Sequence, residues 1–169
     1  MHRVGIGYDL HRLVENRDLI LGGVKIEHHL GLDGYSDADV LVHAIIDAML
    51  GASAMGDIGC HFPAGDNRYK GISSLKLLVK VKELLGLDRW TLVNADTVII
   101  AEVPKVTPHI EKMRNNIAGA LSVHACRISV KATTTEKLGV CGREEGIAAQ
   151  AVVLLEKSAH PGPASHEAQ

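Results

Sequence analysis

The sequence predicts a single α/β (α+β) domain, a mixed β-sheet with helices packed on one face. Three observations predict it. Stretches of period two interleave with stretches of helical period along the chain. Apolar content is 46 %, yet there are only one Phe, one Trp and three Tyr, so the core falls to Val, Ile, Leu and Ala, which suits a β-branched sheet against helices. The chain of 169 residues carries no internal repeat and no dividing linker, and a domain of this size buries about two-thirds of its unfolded surface.

The first element is a strand over Arg3–His11. Its alternation sets Gly5, Gly7, Asp9 and His11 on one face and Val4, Ile6, Tyr8 and Leu10 on the other. Two glycines beside Asp9 and His11 leave room for something to approach the backbone. Leu19–Leu21 and Val24–Ile26 flank Gly22-Gly23, a hairpin signal. Ser36 precedes a periodic apolar run and Asp39 stands three positions on, a weak capping box opening a helix from about Ala38 to Ala52 that ends near Gly51. Asp57–Asn67, rich in Gly, Pro and Asp, reads as a loop. Ser73 or Ser74 caps a second helix over Leu75–Leu85, with Gly86 as its stop. A strand over Leu92–Ala101, a helix over Pro108–Ser122 and a strand over Arg127–Ala132 follow. Gly146–Glu156 reads as a final strand because Ile147, Ala149, Ala151, Val153 and Leu155 alternate. Residues 1–157 are expected to form the domain and 158–169 a disordered tail.

The charge pattern excludes several partners. Net charge is −2, with Lys and Arg scattered, which argues against a nucleic-acid surface and a polybasic membrane patch. No apolar run is long enough to span a bilayer. Met1 leads almost directly into the first strand, so no signal or transit segment is expected. Cys60, Cys126 and Cys141 are widely spaced and odd in number. They point to reduced thiols in a cytoplasmic protein rather than a disulfide framework or thiolate zinc site.

The chemistry centres on Asp9 and His11 of the first strand and His43 of the first helix. Three N/O ligands with an open fourth position is the arrangement expected of a catalytic zinc. Asp39, His43 and Asp47 share a helix face, and Asp47 is expected to orient the ligand imidazole. Asp57-Ile58-Gly59 is either a backbone cradle with one carboxylate or a tight connection. Ala101-Glu102-Val103-Pro104-Lys105-Val106 places Lys105 on a Pro-rigid loop able to meet a phosphate. Thr133-Thr134-Thr135-Glu136-Lys137 gathers hydroxyls and a carboxylate at a strand end, where Glu136 suits Mg²⁺ beside substrate phosphates. Arg143, in Gly142-Arg143-Glu144-Glu145-Gly146, lies in a solvated turn or a subunit contact.

These motifs, with Phe62-Pro63, Lys70-Gly71 and Val130-Lys131-Ala132 continuing to Leu138-Gly139, run in an order and spacing that resembles the 2-C-methyl-D-erythritol 2,4-cyclodiphosphate synthase family over nearly the whole chain. The resemblance implies a homotrimer with active sites between subunits and sheets facing a central channel. It implies Zn²⁺ on Asp9, His11 and His43, and Mg²⁺ or Mn²⁺ on Glu136. It assigns the cytidine diphosphate part of the substrate to Ala101, Lys105, Val106, Thr133 and Thr134, and the methylerythritol part to Asp57 and Gly59. Ser36 is expected to contact phosphate; Asp66 and Arg143 are further expected substrate contacts. The implied reaction is intramolecular phosphoryl transfer in non-mevalonate isoprenoid biosynthesis, releasing CMP. The sequence departs from the family's common pattern at Tyr35, Ala64, Val106, Thr107, Val140 and Gln150, none of them a zinc ligand. Two other classes fit the metal ligands: a zinc-dependent phosphodiesterase or phosphatase, and a non-catalytic trimeric metal-binding module. The second has no use for Lys105, Thr134 and Glu136.

Overall fold

Strand β1 runs over His2–Val14, longer than its motif, and dictates how the rest of the chain packs. The computed structural model describes residues 1–158. The short strands β2 (Leu19–Leu21) and β3 (Val24–Ile26) form the expected hairpin. Its turn is Gly22-Gly23, both at positive φ (56° and 68°), the combination glycine adopts without steric cost. Strand β4 (Gly31–Leu32) is followed by helices α1 (Val40–Ser53), α2 (Ile58–His61) and α3 (Ser74–Leu87). Then come β5 (Trp90–Ile100), α4 (Ile110–Leu121), β6 (Ile128–Thr133), α5 (Gly139–Gly142) and β7 (Gly146–Lys157). The main sheet has the order β4-β1-β7-β5-β6, antiparallel except for the β5–β6 pair. The sheet is therefore mixed, and α1 packs on the face formed by β1, β7 and β5, with α3 behind it.

The glycines of β1 set the position of α1. A Cβ on Gly5 would lie 1.9 Å from the Ala48 carbonyl oxygen, and one on Gly7 would lie 2.0 Å from that of Ala44. What approaches the backbone on this side is the helix. Two strand residues advance about 6.6 Å and four helix residues about 6 Å, so each strand step to the next glycine matches one helical step back from Ala48 to Ala44. The next strand step, Asp9, then arrives opposite the start of α1, where His43 stands. All of α1 except Asp47 and Gly51 is buried, as expected of a helix enclosed between a sheet and a second helix.

Local boundaries differ from the sequence expectations for identifiable reasons. The cap of α1 is Asp39, not Ser36: Ala38 takes φ 56°, and the Asp39 carboxylate accepts the Val42 amide. Asp39 also accepts the amides of Gly22 and Gly23 at 2.9 and 2.6 Å, tying the hairpin turn to the helix start. Full burial pushes its carboxyl up to about 6 despite these donors. Gly86 lies inside α3 rather than ending it; the chain reverses after Leu87, with Arg89 at φ 62°. Helix α4 starts only after a 3₁₀ turn over Thr107–His109. Within the expected loop over Asp57–Asn67 lie α2 and the start of a 3₁₀ turn over Asn67–Tyr69, both too short for periodicity to reveal. Of the expected tail, Ser158 donates its amide to the Arg89 carbonyl at 3.1 Å; 159–169 lie outside the described residues.

The sheet face away from α1 is unusual. Val4, Ile6 and Tyr8 are 68, 63 and 57 % exposed, with Leu10 and Val152 beside them also exposed. Contiguous apolar exposure of this kind marks an interaction surface. Among the described residues, no helix is long and apolar enough to cross a membrane.

Candidate metal centre and flanking phosphate-type loops

Asp9, His11 and His43 converge as expected. Asp9 Oδ2 lies 2.9 Å from His11 Nε2 and 2.9 Å from His43 Nδ1, and the two nitrogens are 3.3 Å apart. A tetrahedral ion with bonds of ~2.0–2.1 Å separates its donors by roughly 3.3 Å, so the residues present fit a small divalent metal. Among the described residues this is the one group of three or more His, Cys, Asp and Glu side chains close enough to share an ion.

The outward nitrogens of both imidazoles are also fixed. His11 Nδ1–H donates to the Asp33 carbonyl at 2.5 Å, and a Cβ on Gly34 would lie 3.1 Å from its ring. His43 Nε2–H faces Ser74 Oγ at 2.8 Å and Ser36 Oγ at 3.1 Å. The Ser74 hydroxyl donates to Asp37, whose carboxylate also accepts the Ser74 amide at 3.0 Å. Without a metal, His11 Nε2 and His43 Nδ1 share protons with Asp9 Oδ2. Once those protons are lost, the outer partners hold both imidazoles in the neutral tautomers a metal requires, with His11 Nε2 and His43 Nδ1 as the donors. Asp47 does not serve His43: its Oδ1 accepts the Ile58 amide at 2.8 Å, anchoring α2. That corrects the expected orienting role. Sequence reasoning missed Ser74, Asp37 and the Asp33 carbonyl, because Ser74 read only as a helix cap and carbonyls carry no residue signal.

Burial works against the charge of Asp9, but hydrogen bonds and attraction from His11 and His43 outweigh it and hold the carboxyl well below the usual carboxylate range. Burial also opposes the charged form of His11; the bond and charge of Asp9 overcome it and raise the imidazole above its ordinary value. The cluster opens onto a cavity of about 280 Å³ whose walls include Tyr35, Ser36, Gly59, Phe62 and Ala64. A larger cavity of about 470 Å³ near Trp90 lies at the other end of the sheet and holds none of the three donors. Donor chemistry, not volume, identifies the site.

The remaining candidates fall into three places. Ser36 and Gly59 line the cavity of the metal-type cluster. Asp57 caps α2 by accepting the Cys60 amide at 2.9 Å. Asp66 is held by Arg68, with a closest approach of 2.6 Å. A second group sits beyond the ends of β5 and β6, where the Ala101 amide donates to the Thr133 carbonyl at 3.0 Å. There Thr134 Oγ1 donates to Glu136 Oε1 at 2.6 Å, Thr133 Oγ1 donates to the Thr134 carbonyl at 3.2 Å, and Lys105 is exposed. Val106 is 3 % exposed and packs in the core. Arg143 is exposed and pairs with Glu145 at 2.8 Å.

The sheet register measures the gap between the two groups. Asp9 pairs with Ala149, Ala149 with Ile99, and Ile99 with Ala132. Three strand spacings of ~4.8 Å therefore separate the Asp9 strand from the strand carrying Thr133, about 14 Å. Within one chain the two groups flank the same end of the sheet without meeting.

Fold and site together define an α+β enzyme-like domain with an Asp-His-His metal-type centre at a sheet end. The chain belongs to the YgbB family, whose family model matches residues 2–156. It is 58 % identical over 153 residues to the 2-C-methyl-D-erythritol 2,4-cyclodiphosphate synthase of Synechococcus elongatus, covering 90 % of this chain and 96 % of that one. The corresponding synthase of Syntrophomonas wolfei is 56 % identical over 156 residues, covering 92 % and 99 %. Among solved structures, an IspF–CDP complex from Plasmodium falciparum superposes with a TM-score of 0.81 at 35 % identity, covering 94 % of this chain and 97 % of that one. These relatives mark the chain as an enzyme.

Proposed function

We propose that this enzyme converts 4-diphosphocytidyl-2-C-methyl-D-erythritol 2-phosphate to 2-C-methyl-D-erythritol 2,4-cyclodiphosphate with release of CMP, in the non-mevalonate route to isoprenoids. The observation that carries the reading is the Asp9–His11–His43 centre, with both imidazoles held in ligand tautomers, in a chain 58 % identical to a synthase of that name. Zinc is the ion that best suits its N, N, O donors.

The reaction is an intramolecular phosphoryl transfer. An oxygen of the 2-phosphate attacks the β-phosphorus, and the bond from that phosphorus to the bridging oxygen breaks. The bridging oxygen leaves on CMP. A phosphate dianion is already a competent nucleophile, so positioning and charge neutralisation are the main demands. Bound to Asp9, His11 and His43, and to Glu136, Zn²⁺ and Mg²⁺ or Mn²⁺ would neutralise and orient the diphosphate. Lys105 and the hydroxyls of Thr133 and Thr134 hold the cytidine diphosphate oxygens, with the backbone of Ala101 and Val106 beside them. Ser36 contacts phosphate. Gly59 and Asp57 hold the methylerythritol hydroxyls, with Asp66 and Arg143 at the periphery.

Assembly follows from the same reading. A separation of about 14 Å across three strand spacings keeps Lys105 and Glu136 of one chain from serving that chain's own His43. A homotrimer that buries the exposed Val4, Ile6 and Tyr8 face against its neighbours brings the two groups together from adjacent copies. Residues 1–157 are the synthase domain, working in the cytoplasm where its free cysteines stay reduced.

The test is product analysis by phosphorus NMR with the methylerythritol substrate. Stoichiometric CMP and cyclic diphosphate, lost on chelation and in His43→Ala, are the expected result. A linear phosphate product would point instead to a metal-dependent phosphodiesterase, and no turnover by metal-loaded protein would refute the synthase reading.

A further inference from the structure

Glu102 lies just beyond β5, at the start of the loop that carries Lys105. Its side chain is only 6 % exposed. Its Oε1 accepts two backbone N–H groups from a different segment, that of Thr135 at 3.1 Å and that of Lys137 at 3.1 Å. Oε2 faces Lys137 Nζ at 3.4 Å. The two amides are those on either side of Glu136, so this carboxylate staples the backbone directly around the residue read as the Mg²⁺ ligand.

The loop needs such a staple. Glu136 and Lys137 hold φ of 53° and 67°, left-handed backbone that residues with a Cβ keep only when their surroundings impose it. The side-chain bonds from Thr134 to Glu136 and from Thr135 to the Leu138 carbonyl are internal to the loop and do not fix it to the body of the protein. Glu102 reaches in from elsewhere to accept backbone amides of the loop, whereas Glu144 meets only the Lys137 side chain, at 3.6 Å. Because Glu102 also begins the segment carrying Lys105, it joins the two phosphate-type loops into one unit.

We propose that Glu102 is a positioning residue for the reaction: it clamps the Glu136 loop to the Lys105 loop, so that the Glu136 carboxylate and the Lys105 ammonium meet one diphosphate in a fixed relation. This rests on the reading of Glu136 as the ligand of a hard divalent cation. The role belongs to the acceptor oxygen rather than to the charge. A glutamine at 102 keeps an oxygen for the two amides and gives up mainly the ion pair to Lys137, whose side chain is 72 % exposed and whose contribution is correspondingly small.

The experiment compares Glu102→Met, which fills the same volume without an acceptor, with Glu102→Gln and Glu136→Gln in the full-length oligomer. Hydrogen–deuterium exchange at Thr135 and Lys137 is read without added divalent cation, and the half-saturating Mg²⁺ concentration is read with substrate. Glu102→Met is expected to speed exchange at both amides and to raise half-saturating Mg²⁺ by about 10–100-fold, the usual cost of losing an outer partner of a metal ligand, with zinc content unchanged. Glu102→Gln is expected to restore both to within a few-fold of wild type. Should the Met variant fail to fold, Glu102→Asp makes the same comparison by withdrawing the carboxylate one methylene. Unaltered Mg²⁺ dependence in Glu102→Met, alongside a raised requirement in Glu136→Gln, would overturn the clamp and leave the Glu136 assignment standing. An unaltered requirement in Glu136→Gln would remove that assignment, and the proposal with it.

Discussion

His43 Nε2 lies 2.8 Å from Ser74 Oγ, and the Ser74 hydroxyl is committed as a donor to Asp37. The serine is thereby left as an acceptor, which fixes a proton on Nε2 and makes Nδ1, beside Asp9, the nitrogen that the neutral imidazole offers to a metal. A carboxylate at the entry to α1 and a serine at the start of α3 thus decide the tautomer of a residue on α1.

Ser74→Ala is expected to weaken metal binding about 10–100-fold, measured by competition with a chromogenic chelator. The start of α3 should survive, because Asp37 still accepts the backbone amide of residue 74. Ser36, 3.1 Å from the same nitrogen, compensates in part, so a Ser36→Ala/Ser74→Ala double variant should lose more than either single one.

Metal affinity should rise with pH across and above 6.5, the ordinary His value over which His11 is raised, because the ligand form is the neutral imidazole. The stability linkage has the opposite sign in chelated protein. A histidine whose folded value is raised contributes fully below 6.5, and that contribution is lost as pH climbs through the raised value. The difference in Tm between chelated wild type and His11→Ala should therefore shrink as pH rises past 6.5, while titration with zinc releases protons below the raised value.

Gly7→Ala is expected to destabilise the protein by about 1–3 kcal/mol or more, the cost of overpacking, since its Cβ would meet the Ala44 carbonyl oxygen at 2.0 Å. Pushing α1 outward also moves His43 away from Asp9, so metal affinity should fall with it. Gly86→Ala is the control: a Cβ there meets nothing within 4 Å, and a helical Gly replaced by Ala gains about 0.5–1 kcal/mol. Urea denaturation of both variants checks the contrast.

Ile6→Lys places a charge on the exposed apolar sheet face without touching the Asp9 side of the strand. Sedimentation velocity should show smaller species, and turnover should fall while metal content per chain is retained. An unchanged oligomer would show that this face is not the assembly surface.

Much of the centre was legible because the alternation of β1 commits Asp9 and His11 to one face and helical period commits His43 to one face of α1; that the two faces meet is a tertiary fact neither period carries. The glycines of β1 were legible as sites of close approach, though not as the seat of α1, because one strand does not say which backbone packs on it. Asp47 misled: shared helix phase with His43 does not fix where a side chain bonds, and α2 claimed it through the Ile58 amide. The contribution of Ser74 depends on α3 returning beside α1, a tertiary event with no local signal. Strand β4, two residues, and helices α2 and α5, four residues each, span barely one period, too short for a repeating pattern to show.

In the proposed assembly, the His43 centre of one chain and the Glu136 loop of another build one active site. Mixing two inactive variants, His43→Ala and Glu136→Gln, after partial denaturation and reassembly tests it most directly. Random assortment in a cyclic trimer should restore about a quarter of wild-type sites, each drawing its intact halves from different copies. Activity that stays at the level of the separate variants, in mixed trimers confirmed by native mass spectrometry, would contradict the account.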